Sequence, residues 1–361
     1  MTRKGSGSTT EQANLPQMQE GGTREGTGAA ANEQQKNEKE AANKSNSWQE
    51  NRRTSAKNQR RGWQWDGQRS LAGRSRRVVY PSLRSFVSGH DNVQSALRAM
   101  SNGATRGIGR AIAFHLASRG ASILGTFSSP ESAHRLDELN RTVLDLYRGL
   151  EGHAPKIVGV AANVLSLDSP RLIKEALIGH FEGKVNIVIN NAAYDPMRAM
   201  GKLDDDYVQK VLMGNTHALV MLMDALYANN IIQPNSRIIN ISSESGRRIP
   251  FPEMYLVGAT KATMEALTRS WADILGTNSM TMGTTVNALL VGATATDTLL
   301  REAPTSFRQK ATDARQSGSN LIDGVALPED IANVAGLLVS ERANWVTGSV
   351  VCANGGKFKI L

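Results

Sequence analysis

From about residue 92 onward, short apolar runs alternate with stretches whose apolar positions recur every three to four residues. The runs are ASILGTF (121–127), KIVGVAA (156–162), VNIVINN (185–191), SRIINIS (236–242), TTVNALL (284–290) and SVVCAN (349–354). Each is short and rich in β-branched residues, which predicts buried strands. Between the runs, GIGRAIAFHLASRG puts Ile108, Ala111, Ile112 and Leu116 on one helical face, and Gly120 closes the helix. In SSPESAHRLDEL, Ser129 suits an N-cap and Pro130 the first helical position. Strands apolar on both faces, each followed by a helix, predict an α/β fold: a doubly wound parallel sheet covered on both sides.

The first ninety residues follow no such period. They are poor in Ile, Leu, Val and Phe and rich in Gln, Asn, Ser, Gly, Arg and Glu. Such a chain cannot offset an ordering cost of roughly 1–2 kcal/mol per residue by burial. Residues 1–91 are therefore expected to be a disordered basic segment and residues 92–361 a folded domain. Charge follows the same division. Residues 1–100 hold 17 Lys+Arg against 9 Asp+Glu, and the other 261 residues hold 25 against 24. The sequence pI of about 9.7 thus belongs to the leading segment and carries no message about the folded part's substrate. Within 51–84, Arg residues interleave with Trp63 and Trp65, a combination able to track phosphates and stack bases. The plainer reading of 51–84 is a solvated basic tail, with nucleic-acid binding as the lesser alternative.

No apolar run follows the first basic residues, and Glu11, Glu20 and Glu25 come early, so neither a secretory nor a transit peptide is expected. No uninterrupted apolar run reaches about 18 residues, so no membrane span is expected. The single cysteine, Cys352, fits a reducing, cytoplasmic setting. His115 and His217 fall inside helical patterns and are expected to pack rather than bind metal; no metal site is predicted.

The first chemical signal is SNGATRGIGRAIA, in which Gly103, Gly107 and Gly109 lead into a helix. Glycines there permit a tight turn and a close approach of backbone to a pyrophosphate, whose charge meets the helix N-terminus. The strand that should precede this loop is the weakest of the sheet. Only Ala99, Met100 and Ser101 are available, and Arg98 beside them costs several kcal/mol to bury unless it snorkels or pairs.

Further ordered motifs join the glycine loop. They are NNAA at 190–193, Asn215 in KVLMGNTHALV, IINISSESG with Ser243, GATKATMEALTRSWA with Lys261, LVGATATDT around Gly292, Thr294 and Thr296, and a C-terminal LPEDIANVAGLLVSERANWVTGSVVCANGG. Over residues 95–361 this set resembles the short-chain dehydrogenase/reductase family, in its main, 3-oxoacyl reductase-like branch. Asn102, Ala193 and Val291 depart from that branch's usual threonine, glycine and proline. The resemblance implies a Rossmann sheet of about seven strands and a nicotinamide dinucleotide held by Gly103, Thr105, Arg106, Gly107, Ile108 and Gly109. Asn163, Val164, Asn191, Ala192, Ala193, Gly292, Thr294 and Thr296 would line the same coenzyme. The second strand ends in GTFSS without the acid that takes ribose hydroxyls in NAD binders. Arg106 with Ser128 and Ser129 instead suits a 2′-phosphate, which favours NADP over NAD, unless Arg106 only faces solvent. The family also implies a small carbonyl substrate, a homodimer or homotetramer, and a substrate-covering segment at 297–325.

In this family a tyrosine donates a proton, a serine orients the carbonyl, a lysine binds ribose and lowers the tyrosine pKa, and an asparagine supports a proton route. Ser243, Lys261 and Asn215 match by motif. The tyrosine does not: Tyr255 precedes Lys261 by six residues, and the position four before Lys261 is Val257. Six residues of helix turn through about 600° and rise about 9 Å, which would carry Tyr255 away from Lys261. Three readings stay open. Tyr255 donates from a loop, or the donor's position is vacant and the fold binds NADP with little turnover, or Tyr255 is a packing residue near a subunit contact.

Overall fold

A computed structural model of the chain describes residues 97–150, 153–303, 305–317 and 324–359. The expectations for the basic segment 1–91, including 51–84, lie outside the described residues. The described residues fall within one compact unit, Arg77–Leu361.

Seven strands form one parallel sheet in the order β3-β2-β1-β4-β5-β6-β7. They are β1 (Arg98–Ser101), β2 (Ser122–Phe127), β3 (Ile157–Ala161), β4 (Val185–Asn190), β5 (Ile232–Ser243), β6 (Thr285–Val291) and β7 (Val350–Ala353). The order reverses between β1 and β4, and at such a switch point the strand ends open a crevice where ligands bind. One core, with Ile112, Leu116, Ile123, Ile189, Ile239 and Leu289, fills one side of the sheet. A second, with Leu124, Leu177, Val188, Leu222, Ile238 and Val286, fills the other. Adjacent strand residues thus go to opposite cores, as a sheet buried on both faces requires.

The weak first strand proves to be the central one. Ala99 and Met100 are fully buried, and β1 pairs with β2 on one side and β4 on the other. Arg98 is accommodated at the strand's first position, where its guanidinium reaches Glu182 at 3.5 Å. Its amide donates to Asn186 Oδ1 at 3.1 Å. Both neighbours supply the order that its own four residues lack.

The helices are α1 (Gly107–Ala117), α2 (Ala133–Tyr147), α3 (Ser169–Phe181), α4 (Asp205–Leu212), α5 (Ala218–Ala228), α6 (Tyr255–Thr277), α7 (Asp297–Glu302), α8 (Thr305–Ser317) and α9 (Pro328–Val339). A π-helical turn, Met213–His217, joins α4 to α5. The continuous stretch Asp205–Ala228 is long and apolar enough to cross a membrane by length and composition. Here its Leu219, Leu222 and Leu226 pack into the second core.

Two of three local expectations need correction. Ser129 does not cap a long helix: a 3-10 turn, Pro130–Ser132, intervenes with no side-chain cap bond, and α2 begins only at Ala133. The Ser129 hydroxyl instead bonds the Glu131 carboxyl, which holds Glu131 below its ordinary range. His115 does pack, pressed against Gly336 of α9, and burial followed by the Arg119 charge lowers it to about 4. His217, however, is exposed on the π-turn, because the wider turn rotates it off the core face.

Candidate active site

The glycine loop runs from β1 into α1 at the switch point. Gly109 is required by contact: a Cβ there would lie 2.2 Å from the Gly103 carbonyl oxygen and 2.5 Å from Asn191 Nδ2. The loop is tied down behind. Thr126 Oγ1 donates to Asn102 Oδ1 at 2.8 Å, and the Gly103 amide donates back to that hydroxyl at 3.0 Å. Asn191 Nδ2 donates to the Asn102 carbonyl at 3.1 Å. Asparagine at 102 thus joins β1 to β2, and the first amides of α1, which lack intrahelical acceptors, face the crevice.

The crevice is a cleft of about 350 Å³, within the range of roughly 300–1,000 Å³ usual for small-molecule sites. The glycine loop forms one end through Gly103, Thr105, Arg106, Gly107 and Ile108, beside Ser128 from the end of β2. Val164, Asn191, Ala192, Ala193, Gly292 and Thr294 line it as well, and so does Thr296, which packs against Gly107. Five of the expected site residues, Gly109, Ser129, Asn163, Asn215 and Tyr255, are not among the residues lining the cleft. Gly109 and Asn215 support the cleft from behind, Ser129 turns to Glu131, and Asn163 Oδ1 accepts from the Leu165 amide at 3.0 Å. Arg106 also borders a second groove whose four arginines, Arg106, Arg110, Arg135 and Arg315, outnumber its three carboxylates, Glu138, Asp297 and Glu329, so a net positive rim lies where a coenzyme's ribose end would lie. A loop needing glycine at 109, free helix amides and this cationic rim fit a phosphorylated dinucleotide.

At the other end Ser243 and Lys261 meet. Ser243 closes β5, lines the cleft, and its Oγ accepts from the Ser245 amide at 3.2 Å. The neighbouring Ser242 is separated from it by bonding: its Oγ donates to Glu265 Oε1 at 2.8 Å. Glu265, buried on α6, also accepts from Arg247 Nε at 2.7 Å. This clip, which sequence reasoning missed, ties the loop after Ser243 to the helix carrying Lys261. Gly258 makes the same junction possible, since a Cβ there would stand 2.4 Å from the Ser245 carbonyl oxygen. Lys261 Nζ donates to the Ile241 carbonyl at 2.8 Å. Burial lowers its pKa to about 8, against the opposing pull of Asp195.

Asn215 sits in the π-turn, 3% exposed. Its Oδ1 accepts from the Tyr194 amide at 2.7 Å, and its Nδ2 donates to the Tyr194 carbonyl at 2.9 Å and to Thr260 Oγ1 at 3.2 Å. Asn215 therefore clamps the loop after β4 against α6. A single widened turn delivers that side chain, as π-bulges often do at functional sites.

Tyr255 is the first residue of the helix that carries Lys261. α6 is continuous from Tyr255 through Lys261, so the loop geometry that would return Tyr255 to the site does not form. Tyr255 does not line the cleft; Val257 does, together with Met254 and Lys261. Val257 is 2% exposed and packs with Tyr207 and Val211. The covering segment lies over this end as α7 and α8. Phe307 of α8 meets Phe251 edge-on, ring centroids 5.0 Å apart, and Lys357 Nζ lies 4.8 Å from the Phe307 ring centre. Met197, Phe251, Met254, Val257 and Phe307 make this end of the cleft largely apolar. Among the described residues no cluster of three His, Cys, Asp or Glu could hold a metal.

Fold and site together define a dinucleotide-binding protein with an oxidoreductase-type cleft. A family model described as Enoyl-(Acyl carrier protein) reductase matches residues 103–357. The chain is similar to the short chain dehydrogenase asqE of Emericella nidulans, 32% identical over 73% of this chain and 94% of that protein. It is also 32% identical to the 3-oxoacyl-[acyl-carrier-protein] reductase FabG of Pseudomonas aeruginosa, over 72% of this chain and 96% of that one. Among solved structures, a short chain dehydrogenase/reductase family protein matches at 29% identity with a TM-score of 0.57, covering 73% and 98% of the two chains. A blue fluorescent protein from a metagenomic library, in complex with NADPH, matches at 25% identity with a TM-score of 0.62, covering 73% and 98%. The chain belongs to the short-chain dehydrogenase/reductase family, a family of oxidoreductases.

Proposed function

We propose that the chain is an NADP-dependent reductase of a ketone or 3-oxoacyl-like carbonyl. The observation that carries this reading is one cleft in which the glycine loop and Arg106 lie at one end and Ser243 and Lys261 at the other. Thr105, Arg106, the α1 amides and Ser128 would hold the phosphorylated end, and Asn191, Thr294 and Lys261 the remainder. A bound nicotinamide coenzyme supplies the hydride. Ser243 Oγ orients the carbonyl oxygen, and the Lys261 ammonium favours the negative charge that develops there. The relatives named for 3-oxoacyl reduction and NADPH binding support the reading.

One observation favours a second reading, an NADP-binding protein with little catalysis: Val257, which has no proton to give, lines the cleft where the family's tyrosine would stand. Calorimetric titration of the full chain with NADPH and NADH, followed by a carbonyl panel monitored by NADPH absorbance, decides between them. NADPH binding with turnover is expected; binding without turnover selects the second reading, and no binding removes both. We also infer a homodimer or homotetramer through the helices bearing Asn215 and Lys261, whose Leu212, Met221, Tyr227 and Ile274 are exposed. Light scattering of the purified chain tests this; a monomer would reject it.

A further inference from the structure

Ser243 and Lys261 stand in a part of the cleft that is poor in cations and rich in apolar side chains. Among the described residues, the cations lining the cleft are Arg106 and Lys261. Arg106 belongs to the glycine loop, and Lys261 Nζ is engaged by the Ile241 carbonyl at 2.8 Å. Cations close by are held outside the lining. Arg315 donates to the Ala295 carbonyl at 2.7 Å and pairs with Asp297 at 3.0 Å, and Lys357 Nζ lies over the Phe307 ring. Three acidic residues, Asp195, Glu244 and Asp297, are among those that do line the cleft. An acid group on a substrate would therefore be buried without a cation to meet it, which costs far more than burying a neutral group.

The apolar wall is joined at defined points. The Arg198 amide donates to the Glu253 carbonyl at 3.1 Å, which brings the chain at Met197, after β4, to the chain at Met254, just before α6. Phe251 and Phe307 meet with ring centroids 5.0 Å apart and planes at 78°. Both rings line the cleft, so the loop after β5 and the covering helix α8 are linked by an aromatic corner. Lys357, from the segment after β7, holds the Phe307 ring, its Nζ 4.8 Å from the ring centre. A flat ring set in such a corner stacks on one phenyl and meets the edge of the other, the two arrangements aromatic pairs prefer. The thioethers of Met197 and Met254 add polarisable contact at ring edges. A flexible acyl chain would gain none of that geometry and would lose more conformational freedom on binding.

Resting on the reductase reading, we propose that the substrate is an uncharged ketone borne on an aromatic ring, and that Phe251 and Phe307 are the residues that select it. The ring seats in the Phe251–Phe307 corner, and its carbonyl reaches Ser243. Keto acids are rejected by charge, because the cations of the cleft belong to the coenzyme. Linear 3-oxoacyl chains are disfavoured by fit, because the corner rewards a flat, rigid body. Phe307 rides on α8, so the choice of ring is made by the segment that covers the cleft.

The test uses the full chain saturated with NADP+, so that affinity is read whether or not turnover occurs. Calorimetry compares 2-tetralone, its 6-carboxylic acid, and the N-acetylcysteamine thioester of 3-oxooctanoate. The neutral ring ketone is expected to bind about tenfold or more tighter than either of the others. Phe307→Leu keeps an apolar side chain and removes the ring. It should cut the preference for ring over chain about fivefold or more, with NADP+ affinity within about threefold of wild type. Phe251→Leu, at the other half of the corner, should do the same and serves if Phe307→Leu fails to fold. Equal or tighter binding of the acid or the thioester overturns the proposal, and so does a preference that neither variant moves. NADP+ binding with no affinity for any of the three compounds overturns the substrate class and leaves the coenzyme reading standing. Failure to bind NADP+ overturns the reductase reading itself.

Discussion

Val257 and Lys261 stand one helical turn apart on α6, and both face the cleft, with Val257 2% and Lys261 7% exposed. That relationship is the one residues four apart on a helix must have. It places a hydrocarbon where a hydroxyl would reach the same substrate atom as the lysine.

Val257→Tyr should therefore raise carbonyl turnover. General acid catalysis contributes typically 10²–10⁴-fold; an increase of about tenfold or more in kcat is expected, limited by crowding against Tyr207 and Val211. NADPH oxidation with a ketone panel measures it. A variant that folds and binds NADPH but gains nothing would show that proton delivery does not limit this site.

Tyr255→Phe should be nearly silent. Tyr255 is the first residue of α6 and does not line the cleft, so removing its hydroxyl is expected to change kcat less than twofold. Tyr255 is half-buried, so stability should move by about 1 kcal/mol at most. A loss of 100-fold in steady-state assays would return Tyr255 to the mechanism.

Lys261 carries a stability cost with a defined sign. Its pKa falls from 10.5 unfolded to about 8 folded, so between about pH 8 and 10.5 the unfolded chain binds more protons. Stability then rises with pH across that window, and below about pH 8 the penalty is fully present, on the order of 3 kcal/mol. Lys261→Met should flatten the slope in urea denaturation between pH 8 and 10. It should also raise stability near pH 7 while weakening NADPH binding. A wild-type chain whose stability falls over that pH range would contradict the assignment.

The sheet was legible because its strands are apolar on both faces and separated by helical periods; six of the seven showed as runs such as VNIVINN. β1 could be read only through the glycine loop that must follow it, since its order comes from β2 and β4 rather than from RAMS. Glycine spacing, Ser243 and Lys261 are local motifs and could be read from the chain. The clamp of Asn215 on Tyr194 and the seat of Glu265 could not, because the first pair lies 21 residues apart and the second, Glu265 with Ser242, 23 residues apart. Sequence distance hid both. The π-turn at Met213–His217 left no pattern that a 3.6-residue period would reveal, which is why His217 was expected inside.

Glu265→Ala should loosen the joint between β5 and α6. The carboxylate is 2% exposed and bonds both Ser242 and Arg247. Truncating one member of a fully buried pair costs roughly 3–5 kcal/mol. Arg247 is 37% exposed and regains water, so about 2 kcal/mol is expected from urea denaturation. Because Ser243 precedes the loop that Arg247 anchors, KM for carbonyl substrate should rise more than NADPH affinity falls. Unchanged stability would mean the clip is dispensable.

Arg106 offers the sharpest test of coenzyme choice. It is the N-cap of α1, lines the cleft, and borders the groove shared with Arg110, His134 and Arg135. A 2′-phosphate there would meet the guanidinium and the α1 amides together, and hydrogen bonds to charged groups are worth about 1.5–3 kcal/mol. Arg106→Ala should then weaken NADPH at least tenfold in calorimetry and leave NADH within about threefold. The NADPH loss should shrink as salt is raised, since the groove is open and its charges are screened. Equal weakening of both coenzymes would assign Arg106 to the pyrophosphate instead, and no weakening of either would leave it facing solvent.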